Sequence, residues 1–436
     1  MMNKIHEVMK LVKNKNTWIP GQDWVQYSGP YFDGSEIKAA IATLAEGWLG
    51  LAEDGIRFEN LFPKHLGKQH GVFVNSGSSA NLLMFSALKS KRLYNLPVGS
   101  KVATAAAGFP TTINPIIQNG FVPIFVDIEQ NTLNIDIDLL EQTLEANKDI
   151  RVLVFAHVLG NPPDMDRIMY LVKKYDLILL EDCCDALGST YDNKPLGSFG
   201  EMATCSFYPA HHITTGEGGF VAVNTKQQDT VVRSLRDWGR GCYCSGKASV
   251  CLKDGFCKKR FSNWLEELPD EILDHKYVYD EIGYNLKPME LQASMGLEQL
   301  KKIDIIHQKR KHNYIRLKDI FNKYQNYFYV HGATKKSDPS WFAFPVTVIK
   351  NEKFKRIDLT QYFEQHKIQT RNYFAGNILL QPGYTHLTVK GYAKNQYPVA
   401  TQVTTDTFFL GTSPVVTDDH INYIEIILNK FIESRI

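Results

Sequence analysis

No stretch of these 436 residues stays apolar for long enough to cross a bilayer, so a membrane-spanning segment is not expected. An excess of one charge is also missing. The 49 Lys and Arg residues oppose 47 Asp and Glu residues, for a formal net charge of +2. That balance gives no basis for binding nucleic acid or an anionic membrane surface. The N-terminus, Met1-Met2-Asn3-Lys4-Ile5-His6-Glu7-Val8-Met9-Lys10, mixes charged and apolar residues. It lacks the unbroken apolar core and small-residue cleavage site of a secretory signal, so a cytoplasmic protein is expected. There is no internal repeat, low-complexity block or long linker.

Cysteine is sparse. The seven are Cys183, Cys184, Cys205, Cys242, Cys244, Cys251 and Cys257. An odd number in a large chain without a secretory signal argues against a disulfide scaffold. Four of them fall in one short loop, and clustered thiols in a reducing compartment point to metal binding or redox chemistry. Cys242, Cys244 and Cys257 can converge, with Cys184 as a fourth thiolate. Such a set suits a zinc ion or an iron–sulfur cluster. The spacing matches neither a zinc ribbon nor a ferredoxin, so residue type alone leaves both open.

What the chain does contain is alternation. Runs such as Val102-Ala103-Thr104-Ala105, Val122 to Ile128, Val152 to Val158, Leu177 to Cys184, Thr204 to Tyr208 and Phe220 to Val223 read as strands. Between them lie segments with helical spacing, among them Asp138 to Ala146 and Arg167 to Lys174. Strands apolar on both faces and joined by helices imply a mainly parallel sheet in a three-layer α/β domain. Residues 1–35 read as an N-terminal helix and an extended arm, and 36–300 as the large domain with the cysteine loop at 240–262. Residues 301–436 read as a smaller α+β domain. In the helix from Glu36 to Glu46, Ile37, Ile41 and Leu44 share one face.

Two features carry chemistry. Val72-Phe73-Val74-Asn75 runs into Ser76-Gly77-Ser78-Ser79 and then an apolar helix from about Leu82. A strand, a Gly/Ser turn and a helix N-terminus form a cradle for a phosphate. Asp182 closes an apolar strand, where a charge needs a partner. Side chains two apart on a strand share a face, about 6.6 Å apart, which puts Cys184 on the side of Asp182 and Cys183 in the core.

The segment Ser206-Phe207-Tyr208-Pro209-Ala210-His211-His212-Ile213-Thr214-Thr215-Gly216-Glu217-Gly218-Gly219 resembles the cofactor motif of the fold-type I, DegT-type sugar aminotransferases. Those enzymes use pyridoxal phosphate and act on nucleotide-linked 4-keto sugars. Their motif reads Ser-Phe-x-x-x-Lys-x-x-x-x-Gly-Glu-Gly-Gly, and the lysine holds the cofactor as a Schiff base. Here that lysine is His211. An imidazole cannot make that bond, but it can take and return a proton near neutrality. The neighbouring His212 is the rival for that role.

The resemblance implies an aspartate-aminotransferase-like three-layer α/β/α large domain with a smaller C-terminal α+β domain. It implies that Gly77, Ser78 and Ser206 hold the cofactor phosphate, that Phe109 stacks on the pyridine ring and that Asp182 pairs with the ring nitrogen. Asp185 stands where relatives carry glutamine, and Leu187 where they often carry histidine. Tyr208 lies near the base. Gly283-Tyr284-Asn285-Leu286-Lys287 is similar to the family's Gly-Tyr-Asn-x-Arg, whose asparagine reaches the cofactor phosphate of a neighbouring subunit; this implies a homodimer. Histidine for lysine resembles the 3-dehydratase branch, which works with pyridoxamine 5′-phosphate. A cysteine after the cofactor aspartate, a Cys-x-Cys pair and a last cysteine beside Lys-Arg-Phe resemble its iron–sulfur members. That assigns Cys184, Cys242, Cys244 and Cys257 to a [2Fe–2S] cluster, with Cys251 as the rival last ligand. The implied reaction is C3 deoxygenation of a nucleotide-linked 4-keto-6-deoxyhexose, CDP-4-keto-6-deoxyglucose foremost, with electrons from a separate NAD(P)H-dependent flavin/iron–sulfur reductase.

Overall fold

Alternating apolar runs and helical segments build a seven-stranded sheet whose strand ends converge on one edge. A computed structural model describes residues 18–241, 260–389 and 391–435. Cys242, Cys244, Cys251 and Cys257, and most of the expected N-terminal helix, lie outside the described residues.

Helices α1 (Gly34–Glu46) and α2 (Glu53–Leu61) precede strand β1 (His70–Val74) and helix α3 (Gly77–Lys89). Then follow β2 (Lys101–Ala105), α4 (Pro110–Gln118), β3 (Val122–Val126), α5 (Ile137–Ala146), β4 (Ile150–Ala156), α6 (Met165–Lys174) and β5 (Ile178–Asp182). Strands β6 (Met202–Ser206) and β7 (Gly219–Val223) complete the sheet, in the order β1-β7-β6-β5-β4-β2-β3. Pairing is parallel from β6 through β3. Only β7 runs against its neighbours, β6 and β1. Every residue of β6 and β7 is buried, as expected for a sheet covered on both faces. One face packs Leu83, Met84, Val231 and Leu235. The other packs Phe58, Phe62, Leu140, Ile168 and Leu297.

Helix α7 (Lys226–Arg236) leads, beyond the cysteine loop, to α8 (Glu290–Leu300) and α9 (Ile303–Phe321). A four-stranded sheet follows, with Ala343–Val348 and Thr407–Gly411 at its centre, antiparallel to each other. Leu317, Phe321, Phe344, Leu359, Ile421 and Phe431 form its core. A further cluster, including Ala106, Phe342, Tyr373 and Phe409, joins this sheet to the loop after β2.

Three local expectations are corrected. The helix after the Gly/Ser turn begins at Gly77, not near Leu82, because Ser76 caps it by accepting from Ser79 N. The strand at 177–184 ends at Asp182, so Cys184 meets Asp182 through a turn rather than through strand alternation. In α1 the buried residues are Glu36 and Thr43, while Leu44 is 53% exposed. Glu36 is held there by the ammonium of Lys302 and the amide of Gln299, which outweighs apolar spacing as the determinant of that face.

Beside the cradle, buried Glu59 accepts from Arg233 Nη1 at 2.7 Å, Arg236 Nη1 at 2.8 Å and Phe73 N at 3.0 Å. This ties α2 and α7 to β1. Glu59→Ala would remove the carboxylate that Arg233 and Arg236 share, leaving them Asp229 and Asp237 as acidic partners, and should cost about 3 kcal/mol, read as a lower urea midpoint. An unchanged midpoint would contradict the packing described.

Candidate active site

Parallel strands bring β1, β2, β4, β5 and β6 to the same sheet edge, and in open α/β sheets the carboxyl ends of strands form the ligand crevice. The turn from β1 into α3 presses against the end of β6. A Cβ on Gly77 would lie 2.5 Å from Ser206 Cβ and 2.8 Å from its Oγ, so only glycine fits. One on Gly219 would lie 2.1 Å from the Ser76 carbonyl oxygen. The first-turn amides of Gly77 and Ser78 have no intrahelical acceptor at the positive end of the helix dipole, and Gly77 packs against the Ser206 side chain. Such an arrangement can hold an anion.

Asp182 is 4% exposed at the tip of β5. Its Oδ2 accepts from Asn81 Nδ2 at 2.8 Å and Thr112 Oγ1 at 2.7 Å, and its Oδ1 accepts from Cys184 N at 3.1 Å. Asn81 Oδ1 in turn accepts from Thr204 Oγ1 at 2.6 Å. Three strands and helices therefore fix one carboxylate, and the donors offset the cost of burying it.

His211 lies in the loop between β6 and β7. That loop is closed by Phe207 N on Gly218 O at 2.9 Å and Thr215 N on Phe207 O at 3.1 Å. His211 N–H donates to Tyr208 O at 2.9 Å. The His211 ring packs 5.2 Å from the Phe342 ring. Its Nδ1 lies 3.5 Å from Asp185 Oδ1 without an aligned hydrogen bond, and the two side chains keep only 15% and 12% of their surface. Burial, and then the charge of Arg310, push the imidazole down to about 4. Burial, and then the nearby Asp182, push the Asp185 carboxyl up to about 8. Both shifts disfavour the charged forms, which works against an ion pair between the two side chains.

The rival, His212, points elsewhere. It is 3% exposed, and its Nε2 donates to Ser340 O at 2.7 Å. Phe109 caps α4 with half its surface exposed, its ring edge-on to Phe374 at 5.8 Å. Tyr208 is likewise about half exposed beside the loop. Asn285 is exposed and its backbone bridges to Asp237, the C-cap of α7. Cys183 is in the core, as expected, and Cys184 is partly buried. His157, Glu181 and Cys183 also come together, but both Glu181 oxygens are occupied by His157 and by the amides of Gly197, Phe199 and Gly200. That cluster is an internal brace.

Sequence reasoning missed Asn81, Thr112 and Arg310. Polar residues on otherwise apolar helix faces were the signal: Asn81 within Ala80-Asn81-Leu82-Leu83-Met84, and Arg310 on the stripe Ile303, Ile306, Tyr314, Leu317.

The profile of the DegT/DnrJ/EryC1/StrS aminotransferase family matches residues 30–428. The chain is 39% identical over 418 residues to the lipopolysaccharide biosynthesis protein RfbH of Salmonella typhimurium, covering 95% of this chain and 93% of that protein. It is 39% identical over 418 residues to dTDP-4-dehydro-2,6-dideoxy-D-glucose 3-dehydratase of Saccharopolyspora spinosa, covering 95% and 88%. Among solved structures, the Escherichia coli GDP-4-keto-6-deoxy-D-mannose-3-dehydratase with bound hydrated PLP superposes with a TM-score of 0.79 at 28% identity. That superposition covers 93% of this chain and 99% of that one. The expected fold-type I architecture is the one observed.

An unfolded imidazole takes its proton near pH 6.5, whereas His211 resists until about 4. Between those values the unfolded state binds more protons, so the contribution of His211 to stability is complete above 6.5 and is lost as pH falls. His211→Asn should therefore lose less stability than the native chain between pH 7 and pH 5, measured by urea midpoints. Equal losses would contradict the burial of a neutral ring.

Proposed function

The chain belongs to the DegT/DnrJ/EryC1/StrS aminotransferase family, and from that premise we propose that it removes the C3 hydroxyl of a nucleotide-linked 4-keto-6-deoxyhexose, CDP-4-keto-6-deoxyglucose foremost, instead of aminating C4. The product class is a 3,6-dideoxyhexose of lipopolysaccharide O-antigen. The observation that carries this reading is His211: a nearly buried imidazole where family members anchor their cofactor through an amine, with its Nδ1 3.5 Å from Asp185 Oδ1.

The residues present fit pyridoxamine 5′-phosphate: an anion cradle that a Cβ would fill, a buried carboxylate with its donors in place, and an exposed aromatic face. When bound, that group supplies an amine to condense with the C4 ketone and a ring able to accept electrons from the adjacent carbon. Gly77, Ser78 and Ser206 would hold its phosphate, Asp182 its ring nitrogen and Phe109 one ring face. Asn285 would serve the phosphate in a second copy of a homodimer. The apolar side chains left outside at Leu44, Trp48 and Leu49 support such a pairing.

His211 then does the work that separates elimination from amino transfer. Its low proton affinity keeps it ready to accept a proton, and with the cofactor bound it would take the one at C4′, the proton whose removal favours loss of the C3 hydroxyl. Burial disfavours ionisation of Asp185, which works against an ion pair that would hold the imidazole away from this task. Tyr208, exposed at the mouth, positions the sugar or its departing hydroxyl.

Cys184, Cys242, Cys244 and Cys257 are assigned to a [2Fe–2S] cluster, which would supply single electrons from a separate NAD(P)H-dependent flavin reductase. Cys184 suits the assignment: it is partly buried and its N–H rests on the carboxylate of Asp182. We place the protein in the cytoplasm, where thiolate ligands stay reduced.

Anaerobically purified protein should contain iron and acid-labile sulfide. With pyridoxamine 5′-phosphate and dithionite it should convert a CDP-4-keto-6-deoxyhexose to the 3-deoxy sugar. Transfer of an amino group from glutamate to C4, with the C3 oxygen retained, would overturn the proposal.

A further inference from the structure

His211 is held by its main chain, and one residue of another element does most of the holding. Arg310 lies on α9 with no exposed surface. Its Nη2 donates to Ala210 O at 3.2 Å and to His211 O at 2.9 Å. Its Nη1 donates to Phe342 O at 2.9 Å and to Trp341 O at 3.4 Å. One planar fork thus joins the loop bearing His211 to the segment entering the second sheet. Both contacts sit on rigid supports. The Trp341 ring stacks on Tyr314 at 3.9 Å, about one turn along α9, and Thr412 Oγ1 donates to Trp341 O at 2.7 Å. Ser28 Oγ adds a second donor to Ala210 O at 2.8 Å.

A buried guanidinium is costly, and a core position on this helix would ordinarily be apolar. Four carbonyls of two separate segments account for its presence. With His211 N–H on Tyr208 O and His211 O on Arg310, the peptide units on both sides of the imidazole are fixed. The ring then keeps only its own side-chain torsions, which Phe342 restricts further.

We propose that Arg310 is the positioning residue of the base: its forked hydrogen bonds to the carbonyls of Ala210 and His211 fix where the His211 imidazole stands. It touches neither substrate nor cofactor and acts through His211. This inference rests on the reading of His211 as the base. Lysine would keep the charge but cannot reproduce the fork, so Arg310→Lys separates geometry from charge.

The test uses the cofactor-loaded full chain with native sequence, Arg310→Lys and Arg310→Met. It measures kcat and KM for the sugar nucleotide and the face selectivity of deuterium entering C4′ of pyridoxamine 5′-phosphate. Arg310→Lys should bind the sugar nucleotide with little change in KM, lose about 100-fold in kcat and deliver deuterium to both faces. Native kcat and native face selectivity in Arg310→Lys would overturn the proposal. Should the Met variant not fold, the Lys variant decides. If the native chain itself shows no C4′ exchange, the reading of the reaction fails, and a crystal structure of Arg310→Lys still judges this inference. A displaced or doubly placed His211 ring upholds it, and a superimposable ring overturns it.

Discussion

The His211 ring stands near a carboxyl and a guanidinium in a space nearly closed to water, and its Nδ1 makes a hydrogen bond to neither. Charging the ring would place a second cation near Arg310 with little solvent to screen it. Asp185 could offset that charge only as an anion, and burial beside Asp182 disfavours its ionisation. The result is a proton acceptor that stays vacant at neutral pH. A lysine in the same place would carry an amine able to bond a carbonyl carbon. An imidazole cannot form that imine but can exchange protons, and the proposed removal of oxygen in place of addition of nitrogen rests on that restriction.

The fold makes this environment by ordinary means. Parallel strands deliver Asp182 and Ser206 to one edge, and the helix after β1 brings its N-terminus against them. The glycines there are required by contact, since Gly77 lies against Ser206 and Gly219 against the Ser76 carbonyl. The second sheet is part of the site as well. Phe342 faces the His211 ring, Phe374 meets Phe109, and Ala375 N and Ile378 N donate to the carbonyls of Gly108 and Ala106. Movement of that sheet relative to the first would carry the wall of the site with it.

Much of this was legible in the sequence, and the exceptions share a cause. Strand periodicity placed the sheet, and a charge closing an apolar run marked Asp182. A departure at one motif position marked His211. Asn81 and Thr112 were not legible, because their importance arises from a carboxylate about 100 and 70 residues further along the chain, brought near only by folding. Arg310 was hidden for the same reason: its partners are main-chain carbonyls, which have no signature in side-chain pattern. The face of α1 was misjudged because Glu36 is buried by an ion pair with Lys302, which amphipathic spacing does not register. Cys184 reached Asp182 by a turn where strand alternation had been extended two residues too far.

The claim on which the rest depends is that His211, and not His212, moves the proton at C4′. Protein loaded with pyridoxamine 5′-phosphate and incubated in heavy water with a 4-keto sugar nucleotide tests it by the deuterium content of C4′. The account predicts exchange in the native chain and in His212→Asn, and none above background in His211→Asn with the cofactor still bound. Exchange at the native rate in His211→Asn would contradict it.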